Sequence, residues 1–181
     1  MELRRMELDQ GKQIYDQYMT ADFPPEELKA WKIVESLYRR GCYDFLAAFE
    51  GDDFLGYSFQ FCPKDTDTIL LDYLSVIPRY RGKGIGGGIL EALRAFYADT
   101  GKVILLESEY PPEAPDPGIA QRRLGFYRRS GMVDTQVQVR LFGVRFCIFA
   151  SSRIPDAALR MMDTYREMLE PELFETQAKL L

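Results

Sequence analysis

The 181-residue sequence contains no histidine and no asparagine. Without histidine, the commonest general base near neutral pH, the Ser-His-Asp triad and the histidine-bearing zinc sites are all excluded. Acid–base chemistry must come from carboxylates, tyrosines, cysteines, lysines or water. The three cysteines, Cys42, Cys62 and Cys147, are far apart and lie in apolar or strand-like segments. An odd, scattered set predicts reduced, buried thiols rather than disulfides or a metal site. No apolar run reaches the roughly 18 residues of a membrane span. Met1-Glu2-Leu3-Arg4-Arg5 also lacks the apolar stretch of a signal peptide, so the expected compartment is the cytosol. Basic residues are outnumbered, 23 Lys and Arg against 28 Asp and Glu, for a net charge of −5. That balance argues against nucleic acid or an anionic membrane as partner, while leaving room for a small basic pocket.

What is present suits one packed domain over residues 1–181, with 46% hydrophobic residues. Residues 2–7 read as a strand, and a weaker helical segment follows from about Asp9 to Met19. A second helix is expected from Asp22 and Pro24-Pro25, with Glu26 and Glu27 in its first turn, to Arg39-Arg40 and a closing Gly41. "YDFLAAFE" and "FLGYSFQF" flank Gly51-Asp52-Asp53 as a hairpin, and a third strand runs from Thr68 to Ile77. Beyond a glycine-rich loop come a helix to about Asp99, the strand "KVILLESE", the loop "YPPEAPDPG" and the helix "IAQRRLGFYRRS". Two strands around Gly143 and a terminal helix from Pro155 to about Leu169 complete the order. Antiparallel steps followed by strand–helix–strand crossovers predict an α+β fold on a mixed sheet.

The glycine-rich loop is the stretch most in need of a reason. Residues 79–90 read "RYRGKGIGGGIL", with five glycines within residues 82–88. A glycine inside a helix costs roughly 1 kcal/mol relative to alanine, so such a cluster belongs where the backbone itself is needed. A Walker loop requires Ser or Thr after its lysine, and Lys83 is followed by Gly84. Gly82, Gly84 and Gly87 satisfy the dinucleotide pattern G-x-G-x-x-G, with Glu107 near the end of the next strand. However, the basic link Pro78-Arg79-Tyr80-Arg81 and the preceding hairpin strands do not suit that fold.

"LDYLSVIPRYRGKGIGGGIL" resembles the acyl-CoA-binding segment of the GNAT superfamily of N-acetyltransferases, whose core pattern Gln/Arg-x-x-Gly-x-Gly/Ala is met by Arg81, Gly84 and Gly86. Phe126-Tyr127-Arg128-Arg129-Ser130-Gly131 also resembles the family's aromatic-Tyr-x-x-x-Gly helix end, and the element order looks like the family fold from residue 1 to about 150. The resemblance implies a central, largely antiparallel mixed sheet flanked by helices, with a C-terminal helical extension at about 155–170. It implies acetyl-CoA as co-substrate, direct transfer to an amine in a ternary complex, and often a homodimer. In the pyrophosphate site, Arg81, Gly82, Lys83, Gly84, Ile85, Gly86 and Gly87 would present amides and positive charge at a helix N-terminus. Leu74, Ser75 and Val76 would hold the pantetheine arm by their backbone, and Tyr127 would be the general acid.

For the base, strand alternation puts Val103, Leu105, Glu107 and Glu109 on one face, and Glu107 is the first candidate. Asp72 is the second candidate, or an anchor for the acceptor's ammonium group. Tyr15, Tyr18, Phe23 and Trp31 either line the acceptor site or form core. Acidic residues nearby would favour a cationic amine. Many family members carry an asparagine before the tyrosine-bearing helix, and here its place falls in "YPPEAPDPG" followed by Gln121-Arg122-Arg123. A non-catalytic acyl-CoA-binding or regulatory domain is the alternative from a different functional class.

Overall fold

The computed structural model describes residues 1–25 and 27–181; Glu26, expected in the first turn of the second helix, lies outside the described residues. The strands follow the order β1-β2-β3-β4-β5-β7-β6-β8. Backbone proximity groups the chain into two compact units, Met1–Cys62 with Asp72–Phe96, and Pro63–Leu71 with Tyr97–Leu181.

The first unit holds β1 (Glu2–Arg5), α1 (Leu8–Ile14), a π-helical turn (Tyr15–Met19), the short α2 (Thr20–Asp22) and α3 (Trp31–Arg39). It continues with the hairpin β2 (Tyr43–Glu50) and β3 (Asp53–Phe61), the last part of β4 (Thr68–Val76), and α4 (Ile85–Phe96). β1–β2 and β2–β3 pair antiparallel, with Phe45 opposite Phe59. Alternation sends Phe45, Tyr57 and Phe59 to one face and Leu46, Gly56 and Ser58 to the other. The first face is aromatic: Phe45 stacks on Tyr38 with centroids 4.9 Å apart and lies 4.5 Å from Phe59. Gly11 lets α1 approach this layer, since a Cβ there would meet the Phe45 ring at 2.3 Å. The second face receives Ile89, Leu90 and Leu93 of α4, and a Cβ on Gly56 would meet Ile89 at 2.8 Å.

α3 begins at Trp31, not at Pro24-Pro25. Tyr15 Oη donates to the Lys29 carbonyl, and Tyr73 Oη accepts from the Lys29 amide while donating to the Glu27 carbonyl. These aromatic hydroxyls hold the backbone before Trp31 outside the helix, against the local signal of the prolines.

The second unit holds the start of β4, then β5 (Val103–Glu109), α5 (Pro117–Arg129), β6 (Val133–Leu141), β7 (Val144–Ala150), α6 (Ala157–Met168), α7 (Pro171–Gln177) and β8 (Ala178–Leu180). β4 pairs parallel with β5 over Thr68–Leu71 against Val103–Leu106, and β5–β7, β7–β6 and β6–β8 are antiparallel. The terminal helix starts at Ala157, two residues after Pro155. Pro171 follows the end of that helix and opens α7, and β8 adds a strand that no sequence pattern marked. With three residues, β8 is too short to show alternation; the Leu181 amide extends its pairing by donating to the Gln138 carbonyl at 3.0 Å. All three cysteines are free thiols, Cys42 and Cys147 buried and Cys62 half-buried. No helix among the described residues is long and apolar enough to cross a membrane.

Candidate active site

In the first unit, β4 ends with Leu74, Ser75 and Val76 half-exposed, and a 3₁₀ turn at Pro78–Tyr80 leads into the glycine loop. Gly82 and Gly84 have φ of +76° and +80°, left-handed values that cost a side chain-bearing residue about 1–2 kcal/mol. A Cβ at either position would meet nothing within 4 Å, so these two glycines serve backbone conformation rather than space. Their turn delivers the chain into α4, whose ladder opens with the Gly88 amide donating to the Gly84 carbonyl at 3.1 Å. The amides of Ile85, Gly86 and Gly87 are the ones a helix start leaves without intrahelical acceptors. They sit at the positive end of the helix dipole, a geometry that suits a pyrophosphate.

The basic residues of the loop are not equivalent. The exposed Arg79 and Lys83 flank the Tyr80 ring at 4.7 and 5.8 Å, and Tyr80 Oη donates to Asp53 at 2.9 Å. Arg81 is bound into the protein: its Nε donates to the Val76 carbonyl at 2.8 Å and its Nη2 to Asp22 Oδ1 at 2.6 Å. Asp22 Oδ2 accepts from Tyr57 Oη at 2.7 Å and from Ser75 Oγ at 2.8 Å. The Asp22 side chain is only 10% exposed, so three donors, one of them the cationic Arg81, offset the cost of burying its charge. Burial first, then Asp22, pushes the Tyr57 hydroxyl far above its ordinary range, so it stays a donor. Asp22 entered the sequence reading only as a helix opener; no local pattern marks it as the acceptor of this network.

Asp72 is likewise committed. It accepts from Lys29 Nζ at 2.7 and 2.9 Å and from Tyr43 Oη, which leaves it a neutralised strut rather than an open carboxylate. Burial, then Asp72, raises the hydroxyls of Tyr43 and Tyr73, the latter to about 12. The four aromatics weighed for an acceptor site pack on other rings: Tyr15 on Trp31 at 5.3 Å, Tyr18 on Phe54 at 5.4 Å, Phe23 on Tyr73 at 5.0 Å.

In the second unit, Asp116 caps α5 by accepting from the Ile119 amide at 2.8 Å, with Pro117 at the first helical position. Near the end of α5, Tyr127 rests against Phe126 and Phe149, at 5.2 and 5.7 Å. Its hydroxyl has no hydrogen-bond partner among the described residues. Burial raises its proton affinity, with Arg123 opposing. Arg123 also pairs with Glu109 at 3.4 Å.

Glu107 lies opposite Ile148 in the β5–β7 ladder, while Leu106 lies opposite Phe149. Glu107 therefore faces α6, where Tyr165 Oη donates to its Oε1, and Tyr127 covers the other face. The two sequence-chosen catalytic residues thus address opposite faces of the same strand pair. On the Tyr127 side, buried Ser108 Oγ has no partner among the described residues. Neither Tyr165 nor Ser108 belongs to a motif, and each was invisible before the strand register was known.

Comparison with known proteins follows the same lines. A family model described as "Acetyltransferase (GNAT) family" matches residues 8–130. No curated protein matches the sequence. Among solved structures, a protein of Bacteroides thetaiotaomicron assigned to the GNAT acetyltransferases aligns with a TM-score of 0.73 at 19% identity, covering 94% of this chain and all, 100%, of the other. The ribosomal-protein-S18-alanine N-acetyltransferase of Escherichia coli aligns with a TM-score of 0.60 at 16% identity, over 86% and 97% of the two chains. A GNAT-family acetyltransferase of Elizabethkingia anophelis with acetyl-CoA bound aligns with a TM-score of 0.55 at 12% identity, over 84% and 97%. At these identities the structures speak for the fold, and the family model for membership. The chain belongs to the acetyltransferase (GNAT) family: it is an N-acetyltransferase whose co-substrate is acetyl-CoA.

Proposed function

We propose that this chain, acting as a single domain, transfers the acetyl group to a primary amine by direct attack in a ternary complex. The observation that carries the reading is the left-handed turn at Gly82 and Gly84, which leads into the first turn of α4 within a family-matching motif. Acetyl-CoA supplies an activated thioester. The amides of Ile85, Gly86 and Gly87 bind its pyrophosphate, with Lys83 adding charge, and the backbone of Leu74–Val76 holds the pantetheine arm. Arg81 acts from behind, fixing the Val76 carbonyl and the entry to the turn.

Glu107 takes the proton that the attacking ammonium must lose, and the amine nitrogen forms its bond to the acetyl carbon as the carbon–sulfur bond breaks. Tyr127 gives its proton to the departing sulfur. Burial keeps that phenol protonated at neutral pH, and its hydroxyl is tied to no other group among the described residues. Because Glu107 and Tyr127 face opposite sides of the strand pair, they do not both touch one acetyl carbon: Tyr127 contacts the departing sulfur, and Glu107 takes the amine's proton through water. Asp72 is already paired with Lys29 and hydrogen-bonded by Tyr43, which commits it to a structural role.

Calorimetry with acetyl-CoA and with NADH, followed by thiol release across a panel of primary amines, tests the reading. The expected result is binding of acetyl-CoA alone and turnover that falls on the order of 100-fold in Tyr127→Phe with acetyl-CoA affinity unchanged. Binding without turnover on any amine would instead indicate a non-catalytic acyl-CoA receptor.

A further inference from the structure

We infer that Tyr165, on the terminal helix α6, is a positioning residue for Glu107, so the C-terminal extension forms part of the catalytic apparatus. This rests on the reading of Glu107 as the base. Three observations carry it. Tyr165 is fully buried, 0% exposed, and its hydroxyl donates to Glu107 Oε1. A phenol this deeply packed has little rotational freedom, so it fixes the carboxylate that it contacts.

The second observation is the seat of α6. Thr164, next to Tyr165, donates its only hydroxyl proton to the Arg160 carbonyl at 2.7 Å. Thr68 of β4 lies 2.7 Å from the same oxygen and must therefore be the donor to it. Thr68 has then used its proton, so Thr66, 2.9 Å away, donates to Thr68 in turn. The hydroxyl chain runs one way, from Thr66 through Thr68 and Thr164 to the helix backbone. An ion pair between Arg160 and Asp67 adds a second attachment of α6 to the same segment. β4 pairs with β5, where Glu107 lies, so helix and base share one rigid frame.

Third, α6 lies outside the residues that the family model matches, 8–130. Tyr165 thus lies beyond the segment on which family membership rests.

The experiment uses the full chain and thiol release from acetyl-CoA, with spermidine, an alanine-initiated peptide and water as acceptors. Tyr165→Phe is expected to lower kcat about tenfold while KM for acetyl-CoA stays constant. Glu107→Gln is expected to lower kcat about 100-fold or more. The double variant should be no slower than Glu107→Gln, because a positioning residue has nothing left to position. A wild-type kcat in Tyr165→Phe, or losses that multiply in the double variant, would overturn the inference while leaving Glu107 as base. A wild-type rate in Glu107→Gln, or no thiol release by the wild type with any acceptor, would overturn the underlying reading and this inference with it. If Tyr165→Phe does not fold, Thr164→Val loosens the seat with the tyrosine in place. A several-fold loss of kcat at constant KM for acetyl-CoA then supports the inference, and an unchanged kcat overturns it.

Discussion

Gly84 and Gly86 satisfy the same sequence pattern, yet a side chain would act differently at each. At Gly84, with φ of +80°, valine strains the turn whether or not a ligand is present. Gly86 sits in the first turn of α4, where valine is no worse a helix former than glycine and its methyls would crowd the first amides of the helix. Gly86→Val should therefore weaken acetyl-CoA binding by about tenfold or more with a melting temperature within a few degrees of wild type. Gly84→Val should lose both affinity and melting temperature. Calorimetry and thermal melts read the two quantities, and full affinity in a folded Gly86→Val would place the pyrophosphate elsewhere. The backbone demand at Gly82 and Gly84 and the place of Tyr127 near the end of a helix were legible in the sequence. Asp22, Lys29 and Tyr165 were not, because their partners Arg81, Asp72 and Glu107 are distant in the chain, and local periodicity carries no record of such pairings.

At the scale of elements, the strands of the β2–β3 hairpin, β5 and the α4 and α5 helices fall where alternation, turn residues and the glycine loop put them. The misreadings are where a tertiary contact overrides a local signal: prolines 24 and 25 do not start a helix because Tyr15 and Tyr73 bind the backbone at Glu27–Lys29. The "YPPEAPDPG" loop carries a comparable long-range tie. Glu113, in its 3₁₀ turn at Pro111–Glu113, accepts from Arg140 of β6 and Arg145 of β7 at 2.9 and 2.8 Å. Those hydrogen bonds, Arg145 first, hold its carboxyl below the ordinary carboxylate value. A lowered folded-state value means that the unfolded chain takes up the proton first as pH falls. This contribution is therefore present above about pH 4.5 and is lost as pH drops through the folded value. Amide exchange in the β6–β7 hairpin should accelerate on acidification in the wild type, and the acceleration should be smaller in Glu113→Gln. An equal acceleration in both would show that the arginines do not respond to Glu113.

At the scale of the molecule, ionisable groups in the aromatic first unit make alkali the destabilising direction. Tyr43, Tyr57 and Tyr73 all titrate above the ordinary tyrosine value, chiefly through burial. Above pH 10 the unfolded chain gives up these protons while the folded chain keeps them. The unfolded state then binds fewer protons, and stability falls as pH rises. The loss is up to about 1.4 kcal/mol per pH unit for each such tyrosine. Urea midpoints at pH 8.5, 10 and 11 check this; a flat profile would mean that the tyrosines ionise equally well in the fold. The Asp22 network that keeps Tyr57 protonated has a mechanical side as well. Asp22 ends the run from α1 to α2, Ser75 lies on the last stretch of β4, and Arg81 stands at the mouth of the glycine turn. One carboxylate latches all three, so the helical arm cannot swing away from β4 without pulling on the turn beside α4. Any displacement of that arm is thereby coupled to the backbone that leads into the first turn of α4.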